Sequence, residues 1–102
     1  MIIQNTISSM SGNATITLPA VSDQYYILQQ VIGSYSSNIS IGAGTISITF
    51  GSTKIFETDL SNPNFQYDVQ TQSDVNQSVT ITLKGITLLT AKLNIGYDVY
   101  TV

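Results

Sequence analysis

The sequence contains no cysteine, no histidine and no arginine. A chain without cysteine has no disulfide, no thiolate metal site and no thiol nucleophile. A chain without histidine lacks the commonest general base, the commonest metal ligand and the usual partner of a nucleophilic serine. The sequence therefore predicts a protein that is not an enzyme and that holds no metal or other cofactor.

Charged side chains are also scarce. Six carboxylates and three lysines make up 9% of the 102 residues, against about 25% in a typical soluble domain. Nucleic-acid binding requires clustered lysine and arginine, so the scattered Lys54, Lys84 and Lys92 predict no nucleic-acid partner. A surface made mostly of serine, threonine, asparagine and glutamine is typical of an exported protein or of a subunit covered in an assembly. Compositional drift within a lineage is the alternative.

Long apolar runs are absent. No stretch approaches the roughly 20 apolar residues of a membrane span, which predicts no membrane partner. Met1-Ile2-Ile3 is followed at once by polar residues, and this start lacks the basic and apolar segments of a signal peptide. We expect any export to proceed without a classical signal or after removal of a leader. Virion proteins meet the first condition, because they leave the cell with the particle.

What the sequence does contain is period-two alternation. In residues 45–50, Ile46, Ile48 and Phe50 alternate with threonine and serine, which predicts a strand with one buried face. No segment has a convincing helical period. Strands at roughly ten-residue spacing favour a single antiparallel β-sandwich, jelly-roll-like, with seven to eight strands in one domain, residues 1–102. The predicted strands are 2–7, 13–19, 25–34, 45–50, 54–60, 65–69, 78–83 and 91–99, with a short apolar segment at 39–41.

Four local features refine this picture. Gly51-Ser52-Thr53 has a length suited to a hairpin. Residues 70–77 are predicted to form a polar loop. The strand at 25–34 is apolar on both faces at its start, which predicts a strand covered on both sides. Residues 1–10 are predicted to be either an extended N-terminal arm, apolar enough to add to a partner's sheet, or an edge strand.

The acidic and hydroxyl side chains give no catalytic pattern. Asp59 and Asp68 could approach one another across a hairpin, as the two acids of a glycosidase must. Each nevertheless lies beside a turn or on an outward strand face, where a solvated carboxylate is the default. No serine has the base or the S-x-x-K spacing that a nucleophile needs. We therefore expect binding and not catalysis.

Tyrosine supplies candidate contact residues. The chain has six tyrosines and no tryptophan, and an exposed tyrosine stacks on sugars and anchors protein interfaces. Tyr35 lies where a strand opens into a loop, and Tyr100 lies on the face of its strand opposite the core row. Packing over the ends of the sandwich is the alternative for each ring. Together with Ile2 and Ile3 of the N-terminal segment, these two tyrosines are the predicted partner contacts.

Five segments together resemble a known layout. They are N-A-T-I-T-L-P-A at 13–20, G-S-Y-S at 33–36, T-I-S-I-T-F followed by G-S-T-K-I-F at 45–56, S-V-T-I-T-L-K-G at 78–85 and A-K-L-N-I-G-Y at 91–97. This succession resembles the small β-sandwich proteins that tailed bacteriophages carry on the capsid as minor or decoration proteins. The chain departs from that pattern in having Phe50-Gly51-Ser52 in place of an Asp-Gly hairpin, and in lacking prolines in the later loop.

The resemblance implies a non-enzymatic structural protein of the virion that decorates or cements the capsid surface. Its implied partners are capsid or other virion proteins, reached by edge strands and terminal segments, and copies of itself, with a trimer favoured. The alternative is a carbohydrate-binding or adhesin-like β-sandwich module of a virion appendage, in which Tyr35 and Tyr100 would contact the glycan.

Overall fold

The computed structural model describes the backbone of residues 3–9 and, with their side chains, residues 13–35, 44–60, 64–84 and 90–102. These residues form eight strands, and none of the described residues lies in a helix, so the all-β prediction is confirmed. The strands are β1 (Ile3–Ser9), β2 (Ala14–Leu18), β3 (Gln24–Tyr35), β4 (Thr45–Phe50), β5 (Thr53–Asp59), β6 (Asn64–Gln72), β7 (Val79–Lys84) and β8 (Ala91–Thr101).

The strands form two four-stranded antiparallel sheets. The first sheet has the order β1-β8-β3-β6 and the second the order β2-β7-β4-β5. The pairings are nested, because β1 pairs with β8, β2 with β7, β3 with β6 and β4 with β5. This is the connectivity of a jelly roll, in which one long antiparallel hairpin is rolled into two layers. The predicted jelly-roll-like sandwich is thus confirmed.

The core lies between the sheets and follows the alternation of the sequence. In β7 and β4, for example, Ile81 pairs with Ile48, and both side chains are fully buried. Each fully buried side chain of this size contributes about 1.5 to 3 kcal/mol. The buried hydrophobic residues are Ala14, Ile16, Leu18, Tyr26, Leu28, Val31, Tyr35, Ile46, Ile48, Phe50, Leu60, Val79, Ile81, Leu83, Ala91, Leu93 and Ile95.

A bulge in β3 changes which residues of that strand face the core. Leu28 pairs with Tyr97 and Gln30 pairs with Gly96, so Gln29 is an extra residue on the β3 side. Because strand side chains alternate with a period of two, one extra residue reverses the faces of everything that follows. Buried positions accordingly change from even to odd numbers along the strand: Tyr26, Leu28, Val31, Gly33 and Tyr35.

One predicted segment differs in the structure, one is resolved between its two alternatives and one is confirmed. The loop predicted at 70–77 begins later, because Thr71 and Gln72 still pair with β3. The strand continues to Gln72 past an irregular position at Gln70, whose φ is +44°. Residues 3–9 pair with β8 as an edge strand, which is one of the two alternatives predicted for residues 1–10. The hairpin between β4 and β5 is confirmed, with Gly51 at a positive φ of 62°. The apolar segment 39–41 lies outside the described residues.

Candidate contact surface

The side of the first sheet that faces away from the core carries apolar side chains. We call Tyr25, Ile27 and Ile32 of β3, together with Tyr100 of β8, the outer face. Ile32 is 36% exposed and Tyr100 is 41% exposed, and the other two are half-buried. The sequence predicted that β3 would be covered on both sides, and within the described residues this is wrong. Among the described strands, the second sheet packs on the inner face alone.

Two tyrosine rings dominate this face. Tyr25 and Tyr100 lie directly opposite one another in the pairing of β3 with β8. Their ring centroids are 5.4 Å apart and their planes differ by 17°, so the rings are stacked. Such a pair contributes about 0.5 to 1.5 kcal/mol beyond the area that it buries. Because each ring restrains the other, the pair forms a preorganised aromatic surface.

The bulge places a polar group within the same face. Gln29, the extra residue, donates a hydrogen bond from Nε2 to Oδ2 of Asp98 at 3.1 Å. Asp98 is only 7% exposed although it lies on the outer side of the sheet, opposite Ile27 in the register. Bulges commonly redirect a side chain in this way. Here the bulge supplies an amide that satisfies a carboxylate oxygen beside the tyrosine pair.

Further apolar side chains border the tyrosines where β3 begins, a region that we call the Gln24 end. The backbone N–H of Gln24 donates to the carbonyl of Val21, and its own carbonyl accepts from Asn76. The N–H of Val102 donates to the carbonyl of Asp23 at 2.7 Å. Three exposed apolar residues take part in these bonds or adjoin them in sequence: Val21, 38% exposed, Val102, 77%, and Val75, 46%, next to Asn76.

The loop between β6 and β7 is held against the Gln24 end by a buried serine. The N–H of Ser73 donates to the carbonyl of Tyr26 at 2.8 Å, and its Oγ accepts from the N–H of Tyr26 at 2.9 Å. Ser73 is 2% exposed. The hydroxyl of Tyr26 in turn donates to the carbonyl of Pro19 at 2.6 Å. These hydrogen bonds therefore fix the backbone segments that carry the apolar residues of the Gln24 end.

The structure separates the four residues that the sequence predicted as partner contacts. Ile2 lies outside the described residues, and Ile3 begins edge strand β1 opposite Tyr97. Tyr35 is 6% exposed and belongs to the core, so the expectation that its ring sits in a loop opening is corrected. The bulge is the cause, because it turns Tyr35 to the inner face. Only Tyr100 is exposed at the described surface.

Sequence reasoning missed the residues that surround Tyr100. The alternation of β3 carried a signal for Tyr25, since a buried Tyr26 and Leu28 require that Tyr25 and Ile27 face the other way. Nothing local indicated that Val75 would lie near Val21, because their proximity depends on the hydrogen bond from the distant Asn76 to Gln24.

The acidic residues do not converge. Asp59 lies on β5 of the second sheet and Asp68 on β6 of the first, so no hairpin joins them. Asp59 accepts a hydrogen bond from the Thr45 hydroxyl at 3.5 Å, and Asp68 accepts one from Nε2 of Gln30 at 3.4 Å. Within the described parts of the chain, no three His, Cys, Asp or Glu side chains form a group that could hold a metal ion. Nor do those parts contain a helix long and apolar enough to span a membrane.

No protein-family model matches the chain, and no curated protein matches it. The fold is similar to part of the crystal structure of dimeric latent PorU from Porphyromonas gingivalis. That likeness has a TM-score of 0.45 and 8% sequence identity, and it covers 95% of this chain but only 13% of the PorU chain.

Proposed function

We propose that this chain is a non-enzymatic structural protein of a tailed-bacteriophage virion, which decorates or cements the capsid surface. The observation that carries the proposal is the apolar outer face of the first sheet. The start of β3 is apolar on both sides, Ile32 adds a further apolar side chain on the outer side, and the described second sheet covers only the inner side. A second protein layer on the outer face would complete the burial that the strand's composition favours.

The chemistry of the outer face suits protein contact. Interface centres are enriched in tyrosine and depleted of charge. Tyr25, Tyr100 and Ile32 follow that pattern. The two carboxylates on the same side of the sheet, Asp98 and Asp68, accept hydrogen bonds from Gln29 and Gln30. Only 9% of the residues are charged, so there is little charge repulsion to oppose association through this surface.

The resemblance noted in the sequence supports a virion as the location. The quoted segments fall on β2, the end of β3, the β4–β5 hairpin, β7 and the first part of β8. The motifs are therefore framework strands, and the protein family that they resemble uses such a framework as a capsid accessory. The partners proposed on this basis are the capsid shell, other virion proteins and further copies of this chain.

A matched pair of isoleucines tests the proposal. Purified chain is mixed with capsid shells assembled from the shell protein of the same genome, and bound chain is measured by co-sedimentation. Ile32→Glu alters the outer face, whereas Ile55→Glu makes the same change on β5 of the other sheet, at 40% exposure against 36%. We expect saturable binding that Ile32→Glu abolishes and Ile55→Glu preserves. Absence of binding by the unaltered chain would contradict the proposal.

A second candidate function rests on the tyrosine pair. Sugar rings stack on exposed aromatic rings, and Tyr100 beside Tyr25 would make the chain a carbohydrate-binding or adhesin-like module of a virion appendage. In this case a glycan array would show saturable binding that Tyr100→Ala removes and Tyr100→Phe, which keeps the ring, retains. Equal binding by both variants would eliminate the tyrosine pair as a glycan site.

A further inference from the structure

The two sheets have four edge strands, and three of them carry features that prevent further strand pairing. These edges are β1 and β6 of the first sheet and β2 and β5 of the second. An exposed edge presents unpaired N–H and C=O groups, and natural sheets protect it with bulges, charges, proline or short length. Each edge can therefore be judged by whether it carries such a device.

The edges β5, β6 and β2 are protected. In β5, Phe56 pairs with Ile48 and Lys54 pairs with Thr49, which leaves Ile55 as a bulge. The same strand carries an ion pair between Lys54 and Glu57 at 2.7 Å. In β6 the pairing is interrupted near Gln70, whose φ is positive. The strand β2 has only five residues and is followed by proline.

The edge strand β1 has none of these devices. Its seven residues, I-Q-N-T-I-S-S, contain no charge, no proline and no glycine. They pair with β8 in unbroken register, from Ile3 opposite Tyr97 to Ser9 opposite Ala91. Among the described strands, β8 is the only one that β1 pairs with, so its other side remains an edge of the sheet.

We infer that the outer edge of β1 pairs with β1 of a second copy of this chain, antiparallel and about a two-fold axis. A second copy offers this strand one matching edge, since its other described edges are protected. Because β1 is uncharged, self-pairing places no like charges opposite one another. A two-fold contact of this kind is self-complementary and closes without further growth. The β1-β8-β3-β6 sheets of the two copies then form one continuous sheet across the dimer.

This inference goes beyond the proposed function, since it rests on the sheet edges and holds or fails whether or not the chain binds a capsid. The inferred dimer also differs from the trimer that the resemblance implies, because antiparallel pairing of two β1 edges about a two-fold axis gives a dimer. The two proposals use separate parts of the first sheet, the outer face and the β1 edge, so their failures are distinguishable.

Solution mass and one charge substitution test the inference. Light scattering at micromolar concentration should give twice the chain mass of 11.0 kDa. Thr6→Lys places a lysine at the centre of β1 and, in a dimer, opposite or beside its own copy. We expect the dimer dissociation constant to rise at least about tenfold. Thr53→Lys, the same change on the protected edge β5, should leave it unchanged.

A cysteine scan provides a readout that does not depend on charge. The chain has no cysteine of its own, so a single cysteine can form a disulfide only between copies. Residues facing each other across antiparallel strands have Cα atoms about 4.5 to 5.5 Å apart, within disulfide range. Single substitutions to cysteine along residues 4–8 should crosslink with a sharp maximum at the residue nearest the axis, and Thr53→Cys should not crosslink.

Several results would overturn the inference. They are a monomer or a trimer at these concentrations, a dimer that Thr6→Lys leaves intact, or crosslinking that shows no maximum along β1. If Thr6→Lys does not fold, as judged by circular dichroism, the mass of the unaltered chain and the cysteine scan still decide. A chain that is monomeric alone but takes up an extended peptide at β1 would assign the edge to another protein and refute self-pairing.

Discussion

Replacing Gly33 by alanine should destabilise the sandwich through one specific contact. Gly33 lies in β3 between Phe65 of β6 and Leu93 of β8. A Cβ atom added there would lie 2.0 Å from Cζ of Phe65 and 2.7 Å from both of its Cε atoms. The phenyl ring therefore occupies the space above the glycine, as aromatic residues do when they cover a glycine on a neighbouring strand. The ring must move for alanine to fit.

The cost follows from what restrains that ring. Phe65 packs against Tyr67 with centroids 5.7 Å apart, and Tyr67 contacts Phe56 of the other sheet at 5.2 Å. Overpacking of this kind costs about 1 to 3 kcal/mol. Alanine recovers about 0.5 to 1 kcal/mol in a strand because it is less flexible than glycine when unfolded. We expect a net loss of about 0.5 to 2 kcal/mol, or about 4 to 8 °C in Tm for each kcal/mol.

A double-mutant cycle isolates the contact. Urea unfolding is measured for the unaltered chain, Gly33→Ala, Phe65→Ala and the double variant. Without the phenyl ring the Cβ atom has room, so Gly33→Ala should become neutral or stabilising in the Phe65→Ala background. If Gly33→Ala costs the same in both backgrounds, the ring is not the cause and the reasoning is refuted.

Two further predictions concern buried tyrosines. Tyr26→Phe removes the hydroxyl that donates to Pro19 at 2.6 Å and should lower the free energy of unfolding by about 0.5 to 1.5 kcal/mol; an unchanged urea midpoint would contradict this. Burial raises the pKa of Tyr26 and of Tyr35 above the ordinary 10.0, with the Tyr97 phenolate adding to the effect at Tyr26. The folded state thus holds these protons more tightly, so the contribution of the two tyrosines to stability should be constant below pH 10.0 and be lost as pH rises through the folded-state pKa values. Thermal unfolding across that range checks it, and stability that rises above pH 10.0 would be the contrary result.

Local alternation predicted most of the strands and core but could not predict the bulge. Counting by twos from Tyr26 and Leu28 places Tyr35 on the outer face, whereas the structure buries it in the core. The extra residue Gln29 reverses that count, and its position depends on how β3 pairs with β6 and β8. Register is therefore a non-local property that a one-dimensional pattern does not contain.

The sheet order and the contact surface required the tertiary structure for the same reason. The pairing of β1 with β8 joins the two ends of the chain, and no short motif encodes it. The alternation of side chains along β3 could indicate that Tyr25 faces away from Tyr26. It could not indicate that the second sheet would cover only one side of the strand. The stacking of Tyr25 on Tyr100 likewise follows from the register of distant strands.

The most direct measurement of the central claim is the amount of this chain in purified virions whose genome encodes it. Quantitative mass spectrometry would compare its copy number with that of the capsid shell protein. A decorating or cementing protein should be present in a fixed ratio set by the shell lattice, and particles carrying Ile32→Glu should lose the chain while keeping the shell. Virions that lack the chain, or that contain it in no constant ratio to the shell protein, would contradict the proposed function.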